Sequence, residues 1–86
     1  MLAKEMTQER VGVQLRGILR DVLNLDESIT ISSETNLFDI GLVSINVVEL
    51  LSNIEESFDF TVEIEDVSPE LFTSFGALDD FVKGKI

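Results

Sequence analysis

Ser44 is the side chain in this sequence whose position best suits covalent chemistry. It follows a loop that Gly41 closes and precedes an apolar helical pattern, so its hydroxyl lies at the first turn of a predicted helix. A hydroxyl there either caps the helix or serves as an attachment point for another group. The 86 residues include no histidine and no cysteine, and no lysine lies near Ser44 in sequence. Nucleophilic catalysis needs such a base or thiol, so the sequence argues against catalysis by this serine.

The charge of the chain is strongly negative and unevenly placed. The formal net charge is −11, and no basic residue lies between Asp21 and Val82. Such a surface repels a phosphate backbone, so nucleic-acid binding is not expected. It would attract and steer a basic protein partner. The alternative is that the charge only maintains solubility.

The sequence also argues against a secreted, a membrane-spanning and a calcium-binding protein. Residues 1–6 lack the apolar region of a signal peptide, and no apolar run is long enough to cross a bilayer. EF-hand spacing fails from both Asp39 and Asp59, so no metal site is expected. We therefore expect a soluble, cytoplasmic monomer that does not bind membranes.

Apolar residues repeat at helical spacing along much of the chain. The predicted elements are a first helix from a cap at Thr7 to about Leu23, a second from about Ser44 to Ser57, a short third opened by Ser68-Pro69-Glu70, and a last helix capped by Ser74. A strand at 29–31 is rejected because it has no obvious pairing partner. The sequence thus predicts an all-α four-helix bundle with a short third helix and a long loop, Asn24–Val43, between helices 1 and 2. Residues 1–86 are interpreted as one freestanding domain, with an excised domain as the open alternative.

The residues on both sides of Ser44 resemble a known attachment site. Leu37-Phe38-Asp39-Ile40-Gly41-Leu42 before it and Val47-Val48-Glu49-Leu50-Leu51 after it are similar to the acyl carrier and peptidyl carrier protein superfamily. Phe72-Thr73-Ser74-Phe75-Gly76-Ala77-Leu78 resembles the segment that opens the last helix of that family. The resemblance covers nearly the whole chain. It implies a four-helix bundle that is a carrier and not an enzyme.

The resemblance also implies a cofactor and an enzyme that installs it. In this superfamily a dedicated phosphopantetheinyl transferase esterifies the serine with 4′-phosphopantetheine, whose thiol holds the cargo as a thioester. The matching residue here is Ser44. Fatty-acid carriers usually read Asp-Ser-Leu, whereas this chain reads Val43-Ser44-Ile45. That departure favours polyketide, nonribosomal peptide or related specialised biosynthesis over fatty-acid synthesis.

Partner enzymes are expected to dock beside the serine. The predicted contact residues form an apolar patch with an acidic rim: Leu42, Val43, Ile45 and Val48, with Glu49, Glu55 and Glu56. The expected partners are acyl- or aminoacyl-loading enzymes and synthase or transferase domains with basic docking surfaces. For Ile45 and Val48 the alternative is ordinary core packing. For the whole chain it is an acidic helical interaction module without a prosthetic group.

Overall fold

The structure, a computed structural model, describes residues 8–86. Three α-helices lie in this range: α1 (Gln8–Leu23), α2 (Ser44–Phe58) and α3 (Phe75–Lys85). Short 3₁₀ helices occupy Leu37–Ile40, Ile64–Asp66 and Pro69–Phe72. Residues 8–86 contain no strand, so the chain is all-helical where it is described. The predicted cap at Thr7 lies outside the described residues.

The predicted short third helix differs from what the structure contains. It is a 3₁₀ helix of four residues, Pro69–Phe72, so residues 8–86 hold three α-helices and not four. Pro69 opens it as expected, but the side chain of Ser68 makes no capping hydrogen bond. The amide of Thr73 bonds back to the Glu70 carbonyl at 3.3 Å, an i to i+3 closure that ends the turn. Burial of its last two residues, rather than helical length, holds this segment in place.

Apolar side chains from all three α-helices meet in one core. The helical repeat of apolar residues predicted for the first helix is confirmed, because Val11, Leu15, Leu19 and Val22 form a buried stripe on α1 and Ile18 packs against it. The buried side chains on the other two helices are Leu50, Ile54 and Phe58 on α2, and Phe75, Leu78 and Val82 on α3. Each fully buried side chain of this kind contributes roughly 1.5–3 kcal/mol. The core therefore offsets the cost of the two glycines inside α1.

Two arginines of α1 hold the long loop between α1 and α2. Arg16 donates from Nε to the Ile31 carbonyl at 2.8 Å, and its guanidinium lies 4.5 Å from the centroid of the Phe75 ring. Arg20 donates to the Ile29 carbonyl at 2.9 Å. These donors satisfy loop carbonyls that have no helical partner of their own. Side chains from α1 thus fix the first part of the loop.

The same loop caps the start of α3. The amide of Phe75 donates to the Thr35 carbonyl and that of Gly76 to the Ser33 carbonyl, each at 2.8 Å. Ser74 is the predicted cap, and its side chain accepts from the amide of Ala77 at 3.1 Å. A Cβ at position 76 would lie 3.0 Å from the Ser33 carbonyl oxygen, a tight contact that glycine avoids. The loop is therefore anchored at both α1 and α3 before it reaches the second helix.

Candidate functional site

The segment before Ser44 is a 3₁₀ helix that ends in a tight turn. Asn36 caps it by accepting from the amide of Phe38 at 2.8 Å. Gly41 then adopts φ 115°, a left-handed conformation that favours glycine. Leu37 and Leu42 are both buried, and the amide of Leu42 bonds to the Leu37 carbonyl at 3.1 Å. This pair of anchors fixes the point at which the chain enters α2.

Ser44 is the first residue of α2, and the cap position belongs to Val43. Val43 is extended, with φ −133° and ψ 171°, and its side chain offers no hydrogen-bond acceptor. The Ser44 residue is exposed, and no hydrogen bond joins its hydroxyl to any part of residues 8–86. The hydroxyl is therefore accessible and does not cap the helix.

Asn46 closes the first turn of α2 from inside the helix. Its Oδ1 accepts from the amide of Val43 at 3.1 Å, which is one half of a capping box. The amides of Asn46 and Val47 bond to the Val43 carbonyl at 2.9 and 3.1 Å. Within residues 8–86 the amides of Ser44 and Ile45 have no acceptor, as expected for a helix start. Sequence reasoning gave Asn46 no role, because the usual capping-box signal is Ser or Thr followed three residues later by Glu or Gln, whereas this pair is Val43 and Asn46.

A cavity of about 320 Å³ opens beside the serine. Its lining includes Ser44 and Val47 from α2 together with Phe38, Phe72 and the segment Val67–Pro69. A second groove of about 380 Å³ continues along α2, and the two share Val47 and Val67. Ser44 thus lies at one end of a mostly apolar depression on the protein surface.

The predicted apolar patch is present, with one correction. Ile45 is 81% exposed, Val48 72% and Val43 54%, so none of the three packs in the core. Leu42 is only 2% exposed, and its prediction as a surface contact is wrong. The turn at Gly41 directs the Leu42 side chain onto the core beside Leu37. Phe38, at 43% exposure, is an apolar surface residue near the serine that was not predicted.

The three glutamates of the predicted rim are not equivalent. Glu49 and Glu56 are exposed, whereas Glu55 is half-buried. The Oε2 of Glu55 accepts from the amide of Val62 at 2.7 Å, which ties α2 to the segment that follows it. Glu55 therefore has a structural task in addition to its charge.

The described residues contain neither a cluster of metal ligands nor a membrane-spanning helix. Within residues 8–86, no group of three or more histidine, cysteine, aspartate or glutamate side chains could hold a metal ion. Nor is any helix described there long and apolar enough to span a membrane.

Comparison with known proteins gives the family. Residues 13–80 match the family model described as the phosphopantetheine attachment site. The chain belongs to this family. It is an acyl carrier and not an enzyme, and its cofactor is covalently bound 4′-phosphopantetheine.

Relatives and solved structures agree with this assignment. Aminoacyl carrier protein 1 of Bradyrhizobium diazoefficiens is 35% identical over 76 residues, covering 87% of this carrier and 80% of the relative. Aminoacyl carrier protein 2 of the same organism is 31% identical, covering 94% of each chain. A chain in the crystal structure of the Bradyrhizobium japonicum glycine:[carrier protein] ligase, complexed with its cognate carrier protein and an analogue of glycyl adenylate, is 29% identical with a TM-score of 0.69. That match covers 91% of this carrier and 97% of the other chain.

The surroundings of Ser44 fit a 4′-phosphopantetheine arm. When attached, the arm supplies a thiol at which a cargo can be held as a thioester. The carrier supplies an exposed hydroxyl, an adjacent helix terminus with two open amides, and no acidic residue in the first turn of α2. The positive end of a helix dipole favours a phosphodiester at this position. The absence of an aspartate at position 43 thus leaves the start of the helix free of negative charge.

Proposed function

We propose that this carrier bears its 4′-phosphopantetheine on Ser44 and receives aminoacyl or acyl groups from a separate loading ligase. The observation that carries the proposal is the exposed hydroxyl of Ser44, which has no hydrogen-bond partner in residues 8–86 and stands at the open start of α2. A transferase needs such an accessible hydroxyl, and the carrier needs no base of its own. The names of the relatives support aminoacyl cargo in particular.

The docking surface is proposed to be the exposed part of the predicted patch. Val43, Ile45 and Val48 form its apolar centre, and Glu49 and Glu56 form its acidic rim. Apolar contacts give affinity at the centre of an interface, while charges at the rim steer the approach. A loading enzyme with an apolar depression flanked by lysine and arginine would match this surface. The pairing of a related chain with a glycine ligase is consistent with such a partner.

The pathway is proposed to be specialised biosynthesis in the cytoplasm, including polyketide or nonribosomal peptide assembly. Val43 in place of aspartate and the aminoacyl relatives support this choice over fatty-acid synthesis. The carrier is proposed to act as a monomer.

The test is labelling followed by intact mass. The protein is incubated with coenzyme A, magnesium and a broad-specificity phosphopantetheinyl transferase. The wild type is expected to gain one phosphopantetheine, and Ser44→Ala none. Ser52→Ala is the matched control, since Ser52 is also exposed on α2 and should not affect labelling. Absence of any gain in the wild type would favour an interaction module without a prosthetic group. A gain that survives Ser44→Ala would refute Ser44 as the attachment residue.

A further inference from the structure

Asn46 makes the one side-chain hydrogen bond in residues 8–86 to the backbone of Val43, the residue just before Ser44. Its Oδ1 accepts from the amide of Val43 at 3.1 Å, across the start of the helix. Val43 cannot cap α2 with its own side chain, so this bond replaces the usual cap. The bond holds the extended conformation of Val43, which sets where the first helical residue lies.

The direction of this bond matters for the serine. A cap side chain at position 43 would accept from an amide inside the first turn and occupy it. Asn46 instead accepts from the amide of Val43, outside the helix, and leaves the amides of Ser44 and Ile45 open. Asn46 is also uncharged, so it adds no negative charge beside the hydroxyl. It therefore orders the helix start without blocking it.

We propose that Asn46 is the positioning residue for Ser44 when the arm is transferred, acting through the backbone of Val43. The inference rests on the proposed function, because it assigns a role in modification of that serine. Asn46 is half-buried in the first turn of α2 and touches neither cofactor nor transferase in this role. Its effect is to reduce the range of positions that the hydroxyl samples, which favours the geometry needed for reaction.

Three variants test this role by labelling kinetics. Asn46→Ala should lower kcat/KM for arm transfer about fivefold, the factor that one net hydrogen bond represents. The loss should fall on kcat, with KM for the carrier nearly unchanged, because the exposed docking residues are retained. Asn46→Gln should restore the rate, since glutamine at this position can also reach back to the cap amide. Asn53→Ala, a matched change later in α2, should leave the rate unchanged.

Two further measurements separate positioning from folding. The thermal midpoint of Asn46→Ala should change little, because the higher helix propensity of alanine offsets the lost cap. Hydrogen exchange followed by NMR should show the Val43 amide protected in the wild type and in Asn46→Gln, but not in Asn46→Ala.

Specific results would overturn the inference. One is Asn46→Ala labelled at the wild-type rate while the Val43 amide loses protection. Others are unchanged protection of that amide, or an equal loss of rate in Asn53→Ala. Wild-type protein that accepts no arm at all would refute the proposed function first, and this inference with it.

Discussion

Replacing Gly76 by alanine should destabilise the fold, although alanine is the better helix former. Gly76 is the second residue of α3, and its amide donates to the Ser33 carbonyl at 2.8 Å. An added Cβ would meet that carbonyl oxygen at 3.0 Å and the Ser33 Cβ at 3.4 Å. The nearest atom belongs to the backbone, so a change of side-chain rotamer cannot relieve the contact.

The expected magnitude follows from three opposing effects. Alanine would gain up to about 1 kcal/mol in helix propensity. Overpacking against backbone costs about 1–3 kcal/mol. Withdrawal of the carbonyl would lose a hydrogen bond worth about 1 kcal/mol net. The balance is a loss of about 1–3 kcal/mol, and each kcal/mol lowers the thermal midpoint of a domain of this size by roughly 4–8 °C.

Gly17→Ala is the matched control. A Cβ at Gly17, which is exposed within α1, would meet nothing within 4 Å. This variant should gain about 0.5–1 kcal/mol and raise the midpoint by a few degrees. Thermal unfolding followed by circular dichroism compares the two. A midpoint for Gly76→Ala equal to or above that of the wild type would refute the close approach between the loop and α3.

Two further predictions concern the apolar surface and the long loop. Leu42→Ala should lower the unfolding free energy by about 2–5 kcal/mol because Leu42 is buried, whereas Ile45→Ala should change it by no more than about 0.5 kcal/mol. Equal losses of unfolding free energy for the two variants, measured by urea denaturation, would contradict the placement of Leu42 in the core and Ile45 on the surface. The backbone amide and the hydroxyl of Ser28 donate to the Asp26 carboxylate, which holds the pKa of Asp26 below its ordinary value of 3.8. These bonds therefore stabilise the folded loop above pH 3.8, and that stability is lost as the pH falls through the lowered pKa. An NMR titration of the Ser28 amide should therefore have its midpoint below 3.8, and one at or above 3.8 would exclude the bond.

The elements that sequence predicted best are those determined by local pattern. The α1 stripe, the start of α2 at Ser44 and the cap at Ser74 are each present, since helical periodicity and capping depend on residues within a few positions of one another. The short third helix was predicted from its first turn alone. That turn begins as expected, but it closes at Thr73 as a 3₁₀ helix and not as an α-helix.

The errors at the site arose from contacts that local pattern does not encode. Leu42 was placed on the surface because it adjoins Ser44, but the left-handed turn at Gly41 sends its side chain inward. The hydrogen bonds from Arg16 and Arg20 to the long loop were also missed, because their acceptors are the backbone carbonyls of Ile31 and Ile29, which leave no mark in the residue types. Such contacts become visible only when α1 and the loop are brought together in space.

The arrangement of charge explains how the fold and the proposed docking surface share one small chain. Arg16 and Arg20 precede the segment from Asp21 to Val82, which has no basic residue, and both donate to loop carbonyls. Lys83 pairs with Asp79 one turn earlier in α3, and Lys85 pairs with Asp66. None of these four contacts involves Glu49 or Glu56. These four basic side chains thus stabilise the loop and the end of the last helix, and they leave the exposed Glu49 and Glu56 to the basic partner proposed above.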